Sequence, residues 1–160
     1  MTHIDHLGPA TGMPQSLVTD ILQDGSGYVW IATRDGLARF DGTRAVIFKD
    51  TPTGGAGLPS NRIGKLGIDS LGNLICNVEG TCWGFDRTAL RFTAIVQQPN
   101  KASDYYRVPS DVARRIAAMP EFRGIEHTVY LRDSQGGYWV SSKRGVDRVS
   151  FDRRRAVPKR

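Results

Sequence analysis

Three aspartates recur in one local pattern, Asp24-Gly25-Ser26-Gly27, Asp69-Ser70-Leu71-Gly72 and Asp133-Ser134-Gln135-Gly136. Carboxylates of this kind can serve as general acids or as metal ligands. Each, however, occupies the same turn position, where an aspartate bonds its own backbone and the following glycine takes a positive φ. Turn formation is therefore the expected role. None of the three loops has the alternating acids and distant glutamate of a calcium loop. His3, Asp5 and His6 lie close together, but on a terminus expected to fray they make a poor metal site. His127 stands alone as a histidine, and there is no phosphate loop, Gly-x-Ser-x-Gly elbow or kinase signature. Cys76 and Cys82 take positions held by Ile31 and Leu37 in the first copy of the pattern. They read as small buried hydrophobes, with a cross-strand disulfide as the alternative in an oxidising compartment. No catalytic residue, cofactor or metal site is expected.

The elements that hold these aspartates are strands. Each aspartate follows an apolar run (Leu17–Leu22, Ile63–Ile68, Thr128–Leu131) and precedes another (Tyr28–Thr33, Leu74–Val78, Tyr138–Ser142). A second turn and a further strand follow, as in Arg34-Asp35-Gly36 and Leu37–Phe40, then Asp41-Gly42 and Ala45–Phe48. Four short antiparallel strands in about 45 residues, repeated, indicate blades of a β-propeller. The fold expected is all-β, an incomplete propeller of about three four-stranded antiparallel blades with one short helical insertion. We expect an N-terminal segment at 1–12, blades at 13–56 and 57–98, a loop and helix at 99–120, a partial third blade at 121–152 and a basic tail at 153–160. In the insertion, Ser110-Asp111 starts a helix with Val112, Ala113, Ile116 and Ala117 on one face, and Pro120 stops it. It is expected to decorate a sheet edge, with Tyr105 and Tyr106 as further contact residues if it meets a partner.

Composition narrows the function. The 160 residues are 39% apolar with 18 glycines, which excludes disorder of the whole chain. No apolar run is long enough to span a bilayer, and Met1–Gln15 shows no secretory signal. The net charge of +6 is uneven. Residues 1–100 hold 8 basic and 9 acidic residues, a net of −1, whereas residues 101–160 hold 14 and 7, a net of +7. Much of the excess lies in the last eight residues, which speaks for a solvated tail and against a nucleic-acid surface.

Two runs carry a resemblance. Met13-Pro14-Gln15-Ser16 through Asp24 to Gly42, and Gly57-Leu58-Pro59-Ser60-Asn61-Arg62-Ile63 followed by Asp69–Leu74, resemble the two-component regulator propeller repeat. The resemblance implies the sensor region of bacterial membrane-bound histidine kinases or diguanylate cyclases, periplasmic, with the kinase or cyclase output outside this chain. A complete protein of this length without a signal would instead be cytoplasmic. The implied role is a non-catalytic sensory, ligand-recognition fragment. The alternatives are an interaction module that completes a propeller by association and a fragment of a propeller-based hydrolase. Partners implied are the remaining blades of a parent receptor or another copy, and an extracellular small-molecule or carbohydrate ligand, with no nucleic acid and no membrane insertion.

Blade logic places candidate ligand contacts in the turns after the second strands, Arg34 and Asp35 or Lys143 and Arg144. Trp83 joins them because it breaks the pattern, standing at a position held by Arg39 and Arg148 in the other copies. Trp30 and Trp139 are expected to be buried between blades, with Trp83 more exposed. Three blades cannot close a ring, so uncovered blade faces carrying Val29, Ile31 and Val140 are expected at the ends.

Overall fold

In the computed structural model, residues 2–13, 17–50, 57–95, 110–125, 127–142 and 144–151 are described. The expected loop at 97–103, Tyr105, Tyr106, Lys143 and the basic tail lie outside them. Twelve strands form three four-stranded antiparallel sheets. They are β1 (Thr2–Leu7), β2 (Val18–Gln23), β3 (Val29–Thr33), β4 (Gly36–Phe40), β5 (Ala45–Phe48), β6 (Ile63–Ile68), β7 (Leu74–Val78), β8 (Thr81–Asp86), β9 (Arg91–Ile95), β10 (His127–Arg132), β11 (Tyr138–Ser142) and β12 (Gly145–Phe151). The α-helix among the described residues, α1 (Ser110–Ala117), precedes β10. The sheets are β2-β3-β4-β5, β6-β7-β8-β9 and β1-β12-β11-β10. They are open propeller blades, and β2 packs against both β10 and β6, so the third blade lies beside the first.

The N-terminus departs from expectation. It is not a frayed segment: β1 pairs with β12 from Thr2 opposite Phe151 to Leu7 opposite Val146, and gives the third blade its fourth strand. That blade is complete. Non-local pairing of the first and last strands is invisible to repeat matching, because β1 alone carries no turn signal and no neighbour in sequence.

Strand faces sort into three cores. Between the first and second blades, Trp30 and Phe48 meet Phe85 and Phe92, with ring centroids 4.9 Å apart for Trp30–Phe85 and 5.8 Å for Phe48–Phe92. Between the first and third blades, Ile21, Val29, Ile31 and Ala38 pack on Leu7, Leu131, Trp139 and Val146. The third core joins Val140 and Val149 to Val112 and Ile116 of α1 and to Phe122. The helix therefore covers the far face of the third blade, not a sheet edge. Val29, Ile31 and Val140, expected on uncovered faces, are all buried. Trp30 and Trp139 are 0% and 2% exposed, whereas Trp83 is only partly buried.

Register corrects one alignment. Trp30 opposes Arg39 and Trp139 opposes Arg148, but Ile75 opposes Gly84, while Trp83 opposes Cys76. Trp83 thus matches Ala38 and Asp147, not the arginines. The reason is the turn. Glu79 (φ 51°) and Gly80 (φ 86°) form a two-residue hairpin loop of the primed kind, whereas Gly36 (φ 120°) and Gly145 (φ 127°) begin their strands after the loop. The glycine moved, and the strands did not. The same register places Cys82 opposite Asn77, one residue from Cys76, so the cysteines point to opposite faces and are both free. Burial pushes the Cys76 thiol up to about 12, with the nearby Cys82 adding to the shift, so it is held as a neutral hydrophobe.

Candidate functional site

The repeated aspartates are engaged in structure. Asp24 Oδ1 accepts from the Ser26 and Tyr28 amides, and Oδ2 accepts from Trp30 Nε1 at 2.8 Å. Asp133 repeats this with Gln135, Gly137 and Trp139 Nε1 at 2.9 Å, and adds Arg148 Nε at 2.8 Å. In the second blade Ile75 replaces the tryptophan, and Asn73 Nδ2 takes the Oδ2 of Asp69 instead. Each carboxylate holds its turn, and in two blades it also satisfies a buried indole N–H that would otherwise be orphaned. Burial pushes Asp133 upward, but the bonds from Arg148, Trp139 and Gly137 outweigh it and hold the group below the usual carboxylate range. Asp69 shows the same balance, burial being overcome by hydrogen bonds from Asn73 and Leu71.

Side chains on the inner strands tie blade to blade. Gln23 donates to Gly27 O at 3.1 Å and accepts from the Ser134 amide at 2.7 Å, linking the first and third blades. Gly25 N donates to Gly72 O at 3.1 Å, linking the first and second. These two turns are so close that a Cβ on Gly25 would lie 3.2 Å from the Gly72 Cα, and a side chain there would have to push the facing backbone back by a few tenths of an ångström. Asp20 Oδ2 accepts from the Leu66 amide and Thr19 donates to Ile63 O. Burial, the largest influence, raises Asp20 above its ordinary value despite the bond from the Leu66 amide and the nearby Lys65 charge.

The residues expected to meet a ligand are largely occupied elsewhere. Asp35 pairs with Lys49 at 2.9 Å, and the Arg34 amide donates to Leu17 O. Arg144 Nη2 donates to Glu121 O at 2.7 Å. Trp83 packs on the core between the first two blades, its Nε1 buried without a hydrogen-bond partner. Lys143 lies outside the described residues. The structure does not gather these side chains into one site.

A cleft of about 380 Å³ opens instead between the first and third blades. Phe40, Asp41 and Thr43 border it from the first blade, and Asp5, Gln135 and Arg148 from the third. Its signal in the sequence is a difference between copies. The residue four after the turn aspartate is Tyr28 in the first blade and Gly137 in the third. Arg39 therefore stacks over Tyr28, 4.6 Å from the ring centroid. Arg148, in the equivalent place, drops over Gly137 to reach Asp133, and a Cβ on Gly137 would lie 2.6 Å from its guanidinium. The cleft is lined mainly by polar and charged groups, with Leu7, Val29, Phe40 and Trp139 as its apolar part, and it falls in the size range of small-molecule sites, about 300–1,000 Å³. Among the described residues no group of three or more His, Cys, Asp or Glu is placed to hold a metal ion.

Three stacked four-stranded sheets, too few to close a ring, define the class, an incomplete β-propeller. Within it, residues 12–35 match the two component regulator propeller family. A 44-residue stretch is 48% identical to a histidine kinase of Formosa agariphila, covering 28% of this chain and 3% of that protein. The fold is similar to an extracellular domain described as part of a hybrid two component system from B. thetaiotaomicron, with a TM-score of 0.50 and 19% identity over 97% of this chain and 21% of that one. A streptogramin B lyase aligns with a TM-score of 0.41 and 11% identity, over 88% of this chain and 39% of the lyase. The chain thus spans about a fifth of the first structural relative and a small part of the kinase.

Proposed function

We propose that this chain is a non-catalytic ligand-recognition module of a bacterial signalling receptor of the two-component or diguanylate cyclase type, acting outside the cytoplasm. The observation that carries this reading is the division of labour among polar groups. The carboxylates best placed for chemistry hold turns and indoles, while the cleft between the first and third blades presents polar groups to solvent. Binding there engages both blades and biases their relative placement, which is how a recognition domain passes binding energy to a distant output. A thermal-shift screen with sugars, amino acids and organic acids tests it. A ligand should raise the melting temperature, and Thr43→Trp, which fills the mouth of the cleft, should abolish the shift. Turnover of a chromogenic ester or glycoside, lost on changing one carboxylate, would favour a hydrolase instead.

The open order of the sheets favours a second reading, in which blades of a parent receptor or of another copy complete the ring. Fusion of further blades after the second would then raise stability, and sedimentation at rising concentration would show a closed oligomer.

A further inference from the structure

The charges around the cleft between the first and third blades define a ligand class. Arg148 is fixed by its Nε bond to Asp133 Oδ2, and its Nη2 makes a long contact, 3.4 Å, to Gln135 Oε1. Its Nη1 has no hydrogen-bond partner among the described residues. With Nε anchored, the Nη1/Nη2 end of the fork is the part available to a planar anion, and a carboxylate matches it with two parallel bonds. On the opposite wall stands Asp41. Its Oδ1 accepts from the Thr43 and Arg44 amides, and these bonds, Arg44 first, hold it below the usual carboxylate range, hence ionised. Asp5 stands opposite Arg148 in the β1–β12 register and also borders the cleft. Asp133 and Arg148 balance each other and Asp5 pairs with His3 Nε2 at 2.9 Å, which leaves Asp41 as the carboxylate facing Arg148 across the cleft. A dianion or simple acid is therefore disfavoured, while a molecule with one carboxylate and one ammonium satisfies both walls. Phe40 and Val29 supply apolar surface for a side chain between them.

We propose that the cleft binds a free α-amino acid, its carboxylate on Arg148 and its ammonium toward Asp41. The proposal rests on the recognition role argued above and names the ligand class. The test is isothermal calorimetry on the 160-residue chain with common free L-amino acids, their C-terminal amides, their N-acetyl derivatives, and glucose. At least one amino acid should bind, with both blocked forms weaker by about tenfold or more, the cost of losing one charge-assisted contact. Asp41→Asn keeps the turn's acceptor oxygen but removes the charge. It should weaken the free amino acid about tenfold and leave binding of its N-acetyl derivative unchanged. Arg148→Lys keeps the charge but loses the fork, and should weaken the amino acid more than its amide. Equal binding of free and blocked forms, or binding of glucose with no amino acid, overturns the zwitterion proposal and leaves the recognition role standing. Absence of binding by any of these probes overturns the zwitterion proposal, and no response in the wider thermal-shift screen then overturns the recognition role as well.

Discussion

Trp30 and Trp139 show how one residue type is used twice with different surroundings. Each is buried, each donates its indole N–H to the turn aspartate of its own blade, and each reaches a neighbouring blade through aromatic contacts. Trp30→Ala should cost about 3–5 kcal/mol, because it leaves a cavity among Phe48, Phe85 and Phe92 that the sheets cannot collapse to fill. Trp139→Phe keeps most of the packing and removes one hydrogen bond to a charged group, so about 1.5–3 kcal/mol is expected. Chemical denaturation of both variants checks the order. Asp133 gives a pH prediction. Its folded value lies below the ordinary 3.8, so its contribution is fully present above that value and is lost as pH falls through the lower, folded one. Asp133→Asn should therefore destabilise the protein at neutral pH and flatten the acid limb of the stability profile. Melting temperatures from pH 7 down to pH 2 decide it, and a variant with an unchanged acid limb would contradict the assignment.

Helix α1 does the work that a neighbouring blade does elsewhere in the molecule. Val112 and Ile116 lie one turn apart on the same helix face and seat on Val140 and Val149, with Phe122 closing the core. Arg115 extends over the Phe151 ring at 4.7 Å from its centroid. A repeat array needs such a cover wherever its stacking stops, because an uncovered apolar sheet face promotes association. Ile116→Ala should cost about 2–5 kcal/mol. Ile116→Asp should go further and detach the helix, since an unpaired carboxylate cannot be buried against two valines. Dye binding and sedimentation should then show a newly exposed apolar face and stronger self-association than in the unaltered chain. An Ile116→Asp variant that remains monomeric and binds no dye would remove α1 from this role.

Across the whole molecule, β1 should make unfolding cooperative. It joins the first residues to the last strand, and the segment after it leads directly into β2, so the third blade cannot leave without releasing the N-terminus. Removal of Thr2–Leu7 should expose the β12 edge and the core around Leu7. The melting transition should broaden or split, the first and second blades retaining the Trp30 cluster while the third unfolds earlier. Calorimetry that gives one sharp transition at an unchanged temperature would show that β1 contributes nothing to closure. Scattered exposed apolar side chains such as Leu71 and Leu90 are no argument for association, since isolated ones are normal on a soluble surface.

By itself the sequence determined the blades, the turns and the burial of two tryptophans. These are local or periodic properties: an aspartate five residues before a strand bonds its own turn, and alternation assigns faces within a hairpin. The likeness of Met13–Gly42 to a known repeat followed from the same local signals. Only the tertiary structure decided that Thr2–Leu7 joins the last strand, that α1 covers a face, and that the third blade stands beside the first. Those depend on pairings between distant segments, for which one sequence carries no periodic mark. Trp83 illustrates the boundary between the two. Its turn glycine was legible, but the register that separates it from Arg39 and Arg148 came from strand pairing, because a hairpin can shift its glycine by one place without shifting its strands. The cleft followed the same rule. Gly137 in place of Tyr28 is visible in the sequence, yet its consequence, an arginine that drops onto Asp133 at the wall between two blades, exists only once the sheets are stacked.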